Sequence, residues 1–136
     1  MDQEHLNEGL WEAALAGQTE KVEDYIKKGA NVNYKDGSGL SPLFVASWYG
    51  HTETVSRLVD LGADIEAKDN DYGQSPLLVA SGEGHTETVS RLVDLGADIN
   101  TKNNNGNTPY DVAGNDKIRE LLKSSVPILN PRWLLL

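Results

Sequence analysis

Polar and apolar positions along this chain follow a helical rhythm that starts again about every 33 residues. Within one period, Val55, Leu58 and Val59 recur at i, i+3 and i+4 and form one apolar stripe. Thr52 stands where its hydroxyl can cap free amides at the start of a helix. Glu53 falls in the first turn, and Arg57 follows four residues later in the favourable order for an ion pair. Gly62 lies just past the last periodic residue and suits a left-handed stop. The block from Gly50 to Ile65 then returns without a change as Gly84 to Ile99. A repeat at this period means a stacked array of small units, none of which buries its apolar face alone.

The segments before these blocks predict a second, shorter helix in each unit. They read Ser41-Pro42-Leu43-Phe44-Val45-Ala46-Ser47, Ser75-Pro76-Leu77-Leu78-Val79-Ala80-Ser81 and Thr108-Pro109-Tyr110-Asp111-Val112-Ala113. Ser or Thr caps each one, and Pro takes the first helical position, where its missing donor costs nothing. Asp111 lies three residues after Thr108 and approximates a capping box. Each unit is a short helix, a turn at Gly, a longer helix and a polar finger.

The pattern Ser-Pro-Leu-x-x-Ala-x-x-x-Gly-His, followed by Val-x-x-Leu-Val-x-x-Gly-Ala-Asp-Ile, resembles the ankyrin repeat over residues 5 to 124. The resemblance implies an all-α solenoid of stacked helix pairs with β-hairpin fingers. It departs from the family at the fourth place of the Thr-Pro-Leu-His motif, which here holds Phe44, Leu78 and Asp111. Apolar packing has to replace the hydrogen bonds of that His in the middle repeats.

On this frame the repeats fall at about 5–35, 36–68, 69–102 and 103–124, followed by an apolar tail over 125–136. The first repeat lacks the Ser-Pro signature, and its second helix puts Val22, Tyr25 and Ile26 inward with charges outside, as a terminal unit requires. The finger from Asp64 to Gln74 carries one extra residue, within Asp69-Asn70-Asp71-Tyr72-Gly73, so its tip should bulge and project Tyr72. Asn105-Gly106 in the last finger favours a type I′ turn. The last helix pair is about one turn shorter than the others and should end near Lys123.

The formal net charge is −9. That argues against nucleic acid and anionic membranes, which need a basic footprint; the charge either serves solubility alone or marks a preference for basic partners. There is no cysteine, so no disulfide framework or thiol nucleophile exists. The polar, acidic stretch from Met1 to Trp11 does not read as a signal peptide, and no apolar run is long enough to span a bilayer. A cytoplasmic or nuclear protein is expected.

Candidate chemistry is sparse. His51 and His85 hold the same place in successive repeats, too far apart for a shared metal to be assumed, and read as turn-stabilising residues. Asp69-Asn70-Asp71-Tyr72-Gly73 superficially resembles a calcium loop, but Gly73 and Ala80 stand where ligands would be needed. No metal, cofactor or catalytic group is expected, and the chain does not read as an enzyme.

The variation lies elsewhere. Ser47-Trp48-Tyr49-Gly50 in one repeat becomes Ser81-Gly82-Glu83-Gly84 in the next. In ankyrin repeats these places and the finger tips line a concave groove that grips partners. Carried over, the resemblance implies a partner site at Leu40, Trp48, Tyr49, Asn70, Asp71, Tyr72, Gln74, Glu83, Asn104 and Asn107. Trp and Tyr are enriched in interface hot spots, although Trp48 and Tyr49 also suit packing between repeats. The expected function is a non-catalytic module binding a protein or peptide. The alternative is a self-assembling protein joined through Trp133, Leu134, Leu135 and Leu136. Two prolines forbid a continuous helix in that tail, which either folds back over the last repeat, links copies into an oligomer, or has no structural role. The unchanged block includes positions read as surface, Thr52, Thr54, Ser56 and Asp60, and its identity points to recent duplication or design.

Overall fold

The structure, a computed structural model, describes residues 2–125. Eight helices follow one another: α1 (Gln3–Leu15), α2 (Thr19–Lys27), α3 (Pro42–Trp48), α4 (Thr52–Asp60), α5 (Pro76–Gly82), α6 (Thr86–Asp94), α7 (Pro109–Val112) and α8 (Asp116–Ser125). Odd-numbered helices stack in one layer and even-numbered helices in another, and each pair is joined by a short turn. The core runs between the layers as one continuous cluster from Leu6 to Leu122. The proposed tail contacts at Trp133, Leu134, Leu135 and Leu136 lie outside the described residues.

The caps act as their sequences predict. Ser41 and Ser75 accept from the amides of Phe44 and Leu78, at 3.1 and 3.2 Å. Thr108 and Asp111 form a reciprocal capping box. Gly62 ends α4 at a φ of 101°. Phe44 and Leu78 are buried, so apolar packing does fill the place that His holds elsewhere in the family.

Thr52 departs from its predicted role. The N-cap of α4 is His51, and the Thr52 hydroxyl instead meets that of Thr88 one repeat along, at 2.7 Å. Thr19 meets Thr54 in the same way at 2.8 Å, and Asn115 reaches the Thr86 hydroxyl at 3.2 Å. Thr54 and Thr88 are therefore buried rather than surface residues. Arg57 likewise passes over Glu53 and pairs with Glu23 of the preceding repeat at 2.6 Å. Its counterpart Arg91 finds Ser56, the residue that replaces Glu23, at 2.5 Å. In both cases the stronger partner lies one period away, on the adjacent helix.

The fingers are not β-hairpins: among the described residues there is no strand. Each finger closes with one backbone bond across its base, from the amides of Asp36, Asp69 and Asn103 to the carbonyls of Leu40, Gln74 and Asn107. Further amides in each loop are taken by the side chain of that same first residue, which leaves no ladder to extend. The last finger also does not make a type I′ turn. Its turn runs from Asn103 to Gly106 and keeps Asn104 and Asn105 at negative φ, with only Gly106 in the left-handed region at 79°. Glycine after the turn absorbs the reversal, so Asn105 need not.

Each finger base gives a backbone amide to a side-chain acceptor, which lies on α1 for the first finger and on the preceding finger for the next two. Asn7 takes the Asn31 amide, Asn33 takes that of Asp64, and Glu66 takes that of Asp98, at 2.8, 2.8 and 2.7 Å. Glu66 is the one charged member. Burial pushes its pKa upward, and the nearby charges of Asp98 and Asp64 add to this against the smaller pull of the Asp98 amide. An acid with a raised folded-state pKa binds its proton more tightly when folded, so its contribution to stability falls as pH rises from the ordinary Glu range through the raised value. Glu66→Gln keeps an acceptor and removes the charge. Thermal melts should show the variant more stable than the parent at neutral pH, with the difference vanishing in acid where both side chains are neutral.

Candidate functional site

Trp48 ends the first helix of the second repeat, and α3 is buried along almost its whole length, so the ring emerges at a fixed place. Its edge meets Phe44 at 5.9 Å and 90°, one helical turn back. Its face stacks on Tyr49 at 6.1 Å. The next repeat has Gly82 in the corresponding place, where a Cβ would face Val112 of the last repeat. Beside Trp48 lies a hollow of about 360 Å³ between the first helices and the fingers, lined by Ser38, Leu40, Phe44, Trp48, Asp69, Asp71, Tyr72, Gln74, Val79 and Glu83.

Six residues singled out from the sequence therefore come together: Leu40, Trp48, Asp71, Tyr72, Gln74 and Glu83. The other four do not line the hollow. Tyr49 lies beside it, 55% exposed and stacked on His51 at 6.3 Å. Asn70 and Asn104 fasten the fingers together, their amides donating to the carbonyls of Ser38 and Tyr72 at 3.0 and 2.9 Å. A Cβ at Gly39 or Gly73 would collide with these two Asn side chains, so the fingers approach closely only because glycine is there. The Asn107 amide donates to Asn103 within its own finger. The sequence reading did not place Phe44 and Val79 on the floor of the hollow. The signal for Phe44 was its position four residues before Trp48, hence on the same helix face.

The inserted residue in the longer finger is absorbed by Asp69. Its carboxylate, almost fully buried, accepts from the amides of Asp71, Tyr72 and Gln74 at 3.2, 3.0 and 2.6 Å. The tip is thereby held while Tyr72 stands out, 68% exposed, as the extra residue predicts. Those three amides engage both oxygens of the carboxylate that the calcium-like spacing had drawn attention to. His51 and His85 each reach back one repeat, donating Nε2–H to the carbonyls of Leu15 and Trp48 at 2.9 and 2.7 Å. Their rings lie on Gly17 and Gly50, where a Cβ would leave no room. That is the turn-stabilising role read from the sequence, and the Trp48 carbonyl is one of its anchors.

The family model described as ankyrin repeats in three copies matches residues 10–103 and 65–129. The chain belongs to the ankyrin repeat family. Among its relatives, an ankyrin repeat domain-containing protein, SAT10, from Stachybotrys chartarum is 38% identical over 66 residues, covering 48% of this chain and 3% of that protein. Protein phosphatase 1 regulatory subunit 27 from Homo sapiens is 37% identical over 62 residues, covering 46% of this chain and 40% of that protein. DNA-binding protein RFXANK from Homo sapiens is 39% identical over 56 residues, covering 40% of this chain and 22% of that protein. The chain thus spans less than half the length of each of these relatives. Ankyrin repeats are generally non-catalytic protein–protein interaction modules. Among the described residues, no helix is long and apolar enough to cross a membrane.

Asp69→Ala should release three amides and cost about 2 kcal/mol in a denaturant titration, the scale for hydrogen bonds to a charged group. Asp69→Asn should cost less, because its one remaining oxygen can still accept loop amides, as Asn103 Oδ1 does in the last finger.

Proposed function

We propose that this ankyrin repeat chain is a non-catalytic module whose groove holds a segment of another protein, anchored by an apolar or aromatic side chain in the hollow beside Trp48. The observation that supports this most is the hollow itself. Leu40, Phe44, Trp48, Tyr72 and Val79 supply its apolar surface. Hot spots cluster where a large side chain fills a desolvated pocket ringed by weaker contacts, which is the arrangement here. Asp71 and Glu83 give the rim one sign of charge, and the whole chain carries −9, so the favoured partner has basic residues flanking its anchor. The regulatory-subunit relative fits a module that acts by binding.

Peptides selected against the purified chain provide the test. Trp48→Ala should weaken those that bind the groove by about 2 kcal/mol or more, with little loss of stability because Trp48 is 38% exposed. Tyr72→Ala should weaken them less. Asp71→Asn with Glu83→Gln should slow association and flatten its salt dependence while leaving dissociation nearly unchanged. Selected peptides that bind the Trp48→Ala, Tyr72→Ala double variant as well as the parent would overturn the assignment.

A further inference from the structure

A second, smaller hollow of about 100 Å³ lies at the other flank of the first finger, lined by Glu8, Trp11, Glu12, Tyr34 and Asp36. We propose that it is a cation pocket, taking the lysine or arginine side chain of a peptide that lies across the first finger. The proposal deepens the groove reading and, for the peptide, rests on it.

Three features carry the inference. The first is the lining itself, two aromatic rings and three carboxylates with no basic side chain among them. Aromatic faces attract ammonium and guanidinium groups, and carboxylates beside them add charge attraction. The second is what these positions hold in the other repeats. Trp11 stands in the place of Phe44 and Leu78, and Glu12 in that of Val45 and Val79. The apolar pattern of the inner helix is thus broken by an acid beside an aromatic ring. Trp11 keeps one side against the core, to which Phe44 belongs, while lining the hollow together with Tyr34.

The third feature is preorganisation. The Trp11 indole N–H donates to the Leu40 carbonyl at 3.0 Å, and the Asp36 amide donates to the same oxygen at 3.2 Å. Asp36 Oδ1 in turn accepts from the amides of Ser38 and Leu40, at 2.9 and 2.8 Å. Both walls are therefore fixed to the finger before any ligand arrives. Lys35, between Tyr34 and Asp36 in sequence, turns its ammonium onto the Lys68 carbonyl at 3.2 Å. Leu40 joins the two hollows, since its carbonyl anchors this pocket and its side chain lines the larger one. A partner crossing the finger meets an apolar site on one side and an acidic, cation-binding site on the other.

The experiment titrates the intact chain, by amide and indole NMR, with four capped amino acids: lysine, ε-trimethyl-lysine, arginine and the neutral norleucine. The cations should shift the Trp11 indole and Tyr34 resonances, and norleucine should not. Glu8→Gln with Glu12→Gln, both at exposed positions, should weaken the binding roughly fivefold or more. Trp48→Ala should leave it unchanged. No shift at Trp11 with any cation, an equal shift with norleucine, or unaltered binding by the double variant would each overturn the proposal. Selected peptides that need Trp48, alongside cations that leave Trp11 unmoved, remove this pocket and keep the groove. The reverse result keeps a cation site and removes the groove reading.

Discussion

The stack depends on one contact repeated between units. The imidazole at the start of each middle repeat's second helix lies on the glycine of the preceding turn, His51 on Gly17 and His85 on Gly50. Its Nε2–H donates to a carbonyl at the end of the preceding first helix, Leu15 or Trp48. Packing alone sets a distance between helices but leaves them free to slide and rotate over ridges of similar shape. A directional bond to a helix end, closed by a ring that tolerates no Cβ beneath it, removes that freedom. Asn115 does related work in the last repeat, capping α8 through Ile118 while donating to Thr86 and, more weakly, to the Gly84 carbonyl. With the repeats registered in this way, finger follows finger, and Trp48 and Phe44 face Tyr72 and Val79 of the next repeat across one hollow.

What was legible in the sequence was what lies within a few residues of itself. The helices, the Ser and Thr caps, the proline starts and the buried stripe at Val55 and Leu58 all follow from local spacing. The errors share a cause too. Thr52 is a good cap candidate and Glu53 a good partner for Arg57 when only the helix is considered. In the stack, Thr88 and Glu23 compete for those side chains and win, because their helices are held alongside. The same distance hid the role of Thr54, which looks like a solvated polar residue until Thr19 is brought against it. The hairpin expectation failed for a local reason that spacing does not show: Asp36, Asp69 and Asn103 each claim two or more of their own loop's amides.

The candidate site was legible in part through comparison of one repeat with the next. Trp48 against Gly82, and the extra residue near Tyr72, mark where a nearly uniform chain stops being uniform. That contrast could not find Trp11, because the first repeat differs from the others almost everywhere and its differences look like those of any end unit. Nor could it separate Asn70 and Asn104, which fasten fingers together, from Asp71 and Tyr72 beside them. Those roles depend on how close the next finger comes, and Gly39 and Gly73 set that approach.

The unchanged block also has a meaning for chain length. α4 and α6 present the same residues to their successors, so the outer layer would tolerate one copy more or fewer without a new kind of interface. The inner layer has no such indifference, since Trp48 and Gly82 occupy one position in successive repeats and are unlike. One layer behaves as a spacer of adjustable length, and the other as a text that changes when a line is dropped. Gain or loss of a repeat would therefore alter the face that the inner layer presents well before it altered whether the molecule folds.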